Sequence, residues 1–295
     1  MKSSVGPFVR FVSSILGSLP RSWVRGAASV LGFVWFDILR LRRRVILENL
    51  QIAFPEKDLA WKLRVGRASV QKLCANFTEL LTIPAMNQNW IQKHAVFEGW
   101  QNLENAKAKG KGILMLSLHV GTYDVAASLL PMRGEEAYLI SKDFKNPRLN
   151  EFWFSIRGSQ GVRYIPAHSD KTAFDILKAL KRKASVIFVI DQFMGKPFGI
   201  ESTFFGRSTG TAYGLALFAM KTGAPVIPMY SVEGADGKIH FIAEPEIDTA
   251  PYIDDNQKEK SLQLLTQRFT DVIESIVRKY PEEWLWVHRR WKKFE

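Results

Sequence analysis

Residues 112–127 read GILMLSLHVGTYDVAA, and this stretch decides how the chain is understood. A seven-residue apolar run, 112–118, ends on His119, and Asp124 follows five positions later. On one continuous helix, residues five apart point about 140° away from each other and do not meet. If His119 instead ends a strand, Gly121 permits a tight turn, Thr122 caps the next helix and Asp124 lies in its first turn. From there Asp124 can fold back towards the imidazole. A carboxylate on one ring nitrogen fixes the tautomer, and the other nitrogen can take a proton from a hydroxyl. The spacing H-x4-D on its own is a weak signal, and a core or helix-capping histidine is its commoner explanation.

The chain outward from this stretch alternates short apolar runs with helical patterns. The runs are 112–118, 137–140, 184–190, 224–230 and 238–243, and helix-like stretches lie near 122–132, 146–158, 170–182 and 211–222. That alternation predicts an α/β layered domain with a largely parallel central sheet flanked by helices. Such sheets bind ligands at the carboxyl ends of their strands, where His119 would stand. Upstream, Leu59, Leu63, Val70, Leu73, Phe77, Leu80 and Leu81 have the spacing of an amphipathic helix over 58–83, closed by Pro84. A last helix is expected over 256–279, before Pro281. The boundary falls around 85–95, which divides the chain into an N-terminal helical, membrane-associating region (1–90) and an α/β domain (91–295).

With 295 residues, 46% of them hydrophobic, the chain can bury a sizeable core. Cys74 is the only cysteine. No Cys/His cluster has zinc-ligand spacing, so no disulfide, metal or cofactor is expected. Cys74 reads as a buried thiol on a helix.

The net charge of +12 is concentrated near the start: residues 1–72 hold 13 Lys/Arg against 4 Asp/Glu. Nucleic acid and an anionic membrane are the partners such a charge suits. No nucleic-acid-binding module is recognisable, and the basic residues alternate with bulky apolar ones in FVRFVSSILGSL (8–19) and WVRGAASVLGFVWFDILRLRRR (23–44), which favours the membrane. The longest charge-free piece, 26–36, has eleven residues, short of the roughly 20 needed to span. A shallow anchor is expected, with Arg40, Arg42, Arg43 and Arg44 against acidic headgroups on the cytoplasmic side. The alternative is a basic helix packed on its own domain. Arg10, Arg21 and Arg25 interrupt any signal-peptide core.

Seven stretches occur in order: NLQIAFPE (49–56), CANFTE (74–79), HVGTYD (119–124), NPRLNEFWFSIRGSQGVRYIP (146–166), IDQ (190–192), FFGRSTGTAYGLALFAMKTGAPVIP (204–228) and PEEWLWVHRRWK (281–292). Together they resemble the lipid A biosynthesis late acyltransferases, the lauroyl/myristoyl-type transferases, over roughly residues 10–293. The resemblance places the chain in the wider H-x4-D glycerolipid acyltransferase superfamily. It implies a membrane-bound acyltransferase at the cytoplasmic face of the bacterial inner membrane. The acyl chain would pass from acyl carrier protein, or acyl-CoA, to a hydroxyl of a lipid A precursor, with another glycolipid or a lysolipid as the alternative acceptor. His119 and Asp124 match the catalytic pair. Arg157 matches the arginine in the helix before the family's GvrvI strand, and Asp191 the acidic residue ending the next strand. Thr211 and Gly214 match the small residues after FFGR, and Pro228 the proline ending GAPVIP. Relatives often carry Glu at the second position of the pair and Asn-Trp before it, where this chain has Asp124 and Thr122-Tyr123.

In the expected chemistry, His119 removes the hydroxyl proton as its oxygen attacks the thioester carbonyl, with no acyl-enzyme. Backbone N–H groups near Gly121, or Arg157, would stabilise the oxyanion. Asp191 would position Arg157 or the acceptor hydroxyl, or merely cap a helix, and Thr211 would line the substrate site. Arg207, Arg289 and Arg290 are readable as headgroup ligands or as structural charges, and Trp284, Trp286 and Trp291 as packing or interfacial residues. The rival class is a lipid-binding membrane protein without chemistry.

Overall fold

The computed structural model describes residues 6–295, so the first five residues of the expected 1–90 region lie outside the described residues. In chain order the strands are β1 (Ala95–Glu98), β2 (Ile113–Ser117), β3 (Ala137–Ser141), β4 (Arg163–Pro166), β5 (Ser185–Val189), β6 (Gly199–Phe204), β7 (Arg207–Ala212), β8 (Val226–Glu233) and β9 (Ile239–Ala243). The helices are α1 (Pro7–Ser18), α2 (Arg21–Phe33), α3 (Arg43–Ala53), α4 (Leu59–Leu80), α5 (Gln88–His94), α6 (Trp100–Ala108), α7 (Tyr123–Met132), α8 (Pro147–Gly158), α9 (Thr172–Lys181), α10 (Gly214–Thr222) and α11 (Lys258–Lys279). Seven strands form one sheet in the order β1-β9-β8-β2-β5-β3-β4, with only the β8–β9 pair antiparallel.

The five apolar runs became strands because both sheet faces are covered. In β2, Ile113 and Met115 join one apolar cluster and Leu114 and Leu116 the other. Continuous hydrophobicity is what a doubly covered parallel strand requires. The Ile113/Met115 cluster takes in α6, α7 and α8; the Leu114/Leu116 cluster takes in α9, α10 and α11. The chain leaves β2 through α7 towards β3, and leaves β5 through α10 towards β8, on opposite faces and in opposite directions. That divergence opens a crevice beyond the carboxyl ends of β2 and β5.

The antiparallel hairpin β6–β7 was not legible as strand, because Ser202, Thr209 and Thr211 give it the composition of a loop. Its turn, Phe205-Gly206, has φ of 52° and 69°, the double left-handed geometry of a tight two-residue hairpin.

Helix α4 forms where its spacing predicts, capped by Asp58, which accepts from the Trp61 N–H at 2.7 Å. It contributes Val65, Val70 and Cys74 to one cluster and Leu80 to the other, so residues on both sides of position 90 share the same cores. Burial pushes the Cys74 thiol up, as its reading as an inert core residue requires. Helix α2 lies on α4 through Val24, Ala28 and Gly32. A side chain at Gly32 would stand 2.6 Å from the Gln71 Cα, so glycine sets that close approach. The packed-helix alternative therefore describes one face of this segment. The other face, with Trp23, Val30 and Leu31, is exposed, as are Phe8, Phe11 and Ile15 of α1. Among the described residues, no helix is long and apolar enough to cross a membrane.

Candidate active site

Register brings the site together. Ser117 of β2 lies beside Val189 of β5 in the parallel ladder. Two residues further on each strand, His119 and Asp191 stand side by side. The Asp191 carboxylate accepts from His119 Nδ1–H at 2.8 Å and from the His119 backbone N–H at 3.0 Å. This fixes the tautomer: Nδ1 holds the proton and Nε2 carries the free lone pair. The Trp284 indole N–H donates to the same carboxylate at 2.7 Å. Burial alone would raise the Asp191 carboxyl; the His119 charge and the hydrogen bonds from His119 and Trp284 hold it below its ordinary value instead.

The expected partner, Asp124, does not hold the imidazole. It lies in the first turn of α7 as the spacing predicts, yet its carboxylate pairs with Arg157 Nη2 at 2.5 Å and accepts from Asn76 Nδ2 at 3.2 Å. Three elements converge there: α7 supplies Asp124, α8 supplies Arg157 and α4 supplies Asn76. A buried carboxylate five residues from His119 is thus committed to a guanidinium, and the carboxylate bonded to the imidazole is Asp191. Asp191 correspondingly neither positions Arg157 nor caps a helix. Arg157 also stacks over Trp153, 4.9 Å from the ring centroid.

The loop between β2 and α7 is fixed by the C-terminal tail. Val120 bridges to Trp284, the Leu285 N–H donates to the His119 carbonyl at 3.1 Å, and the Gly121 N–H donates to the Glu283 carbonyl at 3.1 Å. The Gly121 N–H is therefore spent on structure and does not face an oxyanion. Thr122 occupies the N-cap without a side-chain cap; its hydroxyl lies 3.4 Å from that of Ser231. Gly121 has φ of 60°, and a side chain there would meet the Ser231 carbonyl oxygen at 2.1 Å. Gly121→Ala is expected to cost roughly 2–4 kcal/mol of unfolding free energy in denaturant titration, because both the backbone and the contact oppose it. A loss below about 0.5 kcal/mol, the usual scale of neutral surface changes, would show that the loop yields freely.

Around the imidazole, the Tyr123 ring stands edge-on at 4.8 Å and the Gln192 amide nitrogen lies 3.4 Å from both ring nitrogens. Burial, and then the charge of Asp124, pushes the Tyr123 phenol up, so it stays protonated. His119, Gly121, Tyr123, Ser69, Glu283 and Trp284 line one small cavity. Burial likewise pushes the Glu283 carboxyl up.

The remaining expected site residues lie elsewhere. Thr211 is fully buried: its hydroxyl meets Ser202 Oγ at 2.6 Å and accepts from Arg290 Nη2 at 2.6 Å, which leaves no surface for substrate. Arg290 is buried too, donating to the carbonyls of Gln192 (3.1 Å) and Gly210 (2.6 Å), so it fastens the tail and does not reach a headgroup. Burial lowers its pKa to about 10. Trp284 and Trp286 are core residues, meeting edge-to-face at 4.5 Å. Gly214 opens α10, and Pro228 sits within β8 opposite Leu116. Arg207 opens β7 and lines a separate concavity with Arg289. Asn76 and Trp284 had no sequence signal beyond lying in the CANFTE and PEEWLW stretches.

Comparison with known proteins identifies the family. Residues 7–293 match the family model described as bacterial lipid A biosynthesis acyltransferase. A lipid A biosynthesis acyltransferase of Haemophilus influenzae is 25% identical, over 81% of this chain and 72% of its own length. The lipid A biosynthesis lauroyltransferase of Escherichia coli is 20% identical, over 89% and 83% respectively. A phosphatidylinositol mannoside acyltransferase of Mycobacterium tuberculosis is 25% identical, over 80% and 75%. A match that runs from α1 through the tail takes in every residue of the His119–Asp191–Trp284 and Asp124–Arg157–Asn76 groups, and the chain belongs to the bacterial lipid A biosynthesis acyltransferase family and is an acyltransferase.

Proposed function

We propose that the protein moves a fatty acyl chain from an acyl thioester to a hydroxyl of a lipid A precursor, using His119 as general base. The observation that carries this is the imidazole held at Nδ1 by buried Asp191, with Nε2 unprotonated and 3.4 Å from the Gln192 amide nitrogen, in a family of acyltransferases. Nε2 takes the hydroxyl proton while the hydroxyl oxygen bonds to the thioester carbonyl carbon. The C–S bond then breaks, and the departing sulfur takes the proton from the imidazolium. Asp191 stabilises that imidazolium. Negative charge on the carbonyl oxygen needs donors, and the Gln192 amide and the Arg157 guanidinium are the groups suited to supply them. Asp124 and Asn76 act on Arg157 by holding it in place.

Acyl carrier protein is the proposed donor and acyl-CoA the second choice, since a chain of net charge +12 attracts a strongly acidic protein. The exposed apolar residues of α1 and α2, with exposed Arg10 among them, support residence on an anionic membrane surface, at the cytoplasmic face of the bacterial inner membrane. The phosphatidylinositol mannoside acyltransferase relative favours a second reading of the acceptor, another glycolipid or a lysolipid.

The experiment is thioester consumption by the full chain with a given acyl group on either donor, with the acylated lipid identified by mass spectrometry. Consumption that requires a glycolipid acceptor is expected, and faster, more salt-sensitive use of the carrier-linked donor, because the Debye length shortens from about 10 Å at 0.1 M to about 3 Å at 1 M salt. Absence of any turnover with either donor would leave a lipid-binding protein.

A further inference from the structure

Outside the His119 cavity the structure has a concavity of about 1330 Å³ with an unusual lining. Arg40, Arg43, Arg44, Arg207 and Arg289 face it, with Glu48 the one carboxylate and Trp291 on its wall. Three separate parts of the chain deliver these arginines: the entry to α3, the start of β7, and the tail. Arg44 pairs with Glu48 at 2.7 Å, and Arg43 lies 3.9 Å from Asp37 and stacks on Phe36. Among the described residues, Arg40, Arg207 and Arg289 have no ion-pair partner.

Bringing like charges together from distant segments opposes folding, and Asp37 and Glu48 offset only part of it. The remaining compensating charge must come from outside. A carboxylate engages one guanidinium fork, whereas the several oxygens of a phosphate monoester accept from two or three forks together and carry up to two negative charges. The concavity is larger than one ion needs; small-molecule sites typically measure about 300–1,000 Å³. It therefore has room for the group that bears the phosphate.

We propose that this groove is a phosphate-monoester site, distinct from the His119 cavity. Its ligand is a phosphate carried by a lipid headgroup or by a soluble molecule. The exposed Ile38, Leu39 and Leu41, which flank Arg40 in the chain, favour a lipid. The inference stands on the arginines and does not depend on the acyl-transfer reading.

The test uses the full chain, an Arg207→Gln/Arg289→Gln variant, and a Lys181→Gln/Lys258→Gln control that loses the same charge from exposed positions elsewhere. One arm measures binding to phosphatidylcholine vesicles containing phosphatidic acid, against vesicles of equal surface charge containing phosphatidylserine. The other measures the rise in melting temperature with inorganic phosphate, against chloride at equal ionic strength. If the source is a lipid, the groove variant loses about tenfold or more in affinity for phosphatidic acid, as expected for charge-assisted bonds removed, while the control keeps it. If the source is soluble, the groove variant alone loses the phosphate-induced stabilisation. Should the double variant melt early without ligand, Arg40→Gln against Lys181→Gln makes the same comparison on exposed residues. Equal behaviour of groove and control variants in both arms overturns the proposal. Thioester turnover is scored separately, so that result leaves the acyl-transfer reading standing or falling on its own assay.

Discussion

His119→Ala is expected to lower acyl transfer by about 10²–10⁴-fold, the usual contribution of a positioned general base, with little change in melting temperature. The imidazole is a fifth exposed, and its removal frees Asp191 to keep the Trp284 indole and the backbone N–H of residue 119. The fold loses one side chain at the rim of a crevice and no core volume. The check is single-turnover transfer from a thioester donor, with near-ultraviolet circular dichroism to confirm the tail is docked. Turnover within threefold of the parent in a folded His119→Ala protein would remove general-base catalysis by this residue. Asp191→Asn should follow the same direction, because an amide can present its NH₂ to Nδ1 and favour the unproductive tautomer.

Asp124→Ala is expected to act on stability first. It strips the partner from an Arg157 that lies deep between α7 and α8, and breaking a buried pair from one side typically costs about 3–5 kcal/mol because the other charge stays behind. That is a large part of the roughly 5–15 kcal/mol that holds a domain together. Equilibrium unfolding of Asp124→Ala, Arg157→Met and the double variant separates the two possible roles. If Asp124 serves Arg157, the double variant is less destabilised than the sum of the single variants. If it served His119, the Asp124→Ala loss would be small and additive, and the pH–rate profile would shift instead.

The contrast between these two carboxylates shows where the sequence was legible. His119 could be placed because the apolar run that stops on it reads as a strand, and HVGTYD is one of the seven stretches that carry the family resemblance. Its partner could not. Asp124 is near in sequence, whereas Asp191 is 72 residues away and becomes a neighbour only through the β2–β5 register. Sheet pairing is set by the global order of strands, which no local spacing encodes. The same limit explains the missed elements. β1 and β4 are four-residue strands at the two ends of the sheet, too short and too polar to stand out as apolar runs. The β6–β7 hairpin buries hydroxyls whose partners lie across the hairpin and in the tail: Ser202 meets Thr211, Thr209 donates to the Arg290 carbonyl, and the Arg290 guanidinium, 79 residues from Thr211, donates to it.

The tail that clasps the His119 loop also sets an order of events. Ser69 donates to the Trp284 carbonyl across 215 residues, and Asn49 to the Trp286 carbonyl across 237. During synthesis the apolar face of α1 and α2 leaves the ribosome well before the indole that completes the Asp191 carboxylate. Contacts closed over such loops form late. A nascent chain therefore carries its histidine on an unfinished loop until residues 281–291 have emerged, and a product cut short before them has the base without its support. Competence for chemistry thus waits on residues 281–291, long after the N-terminal helices have been made.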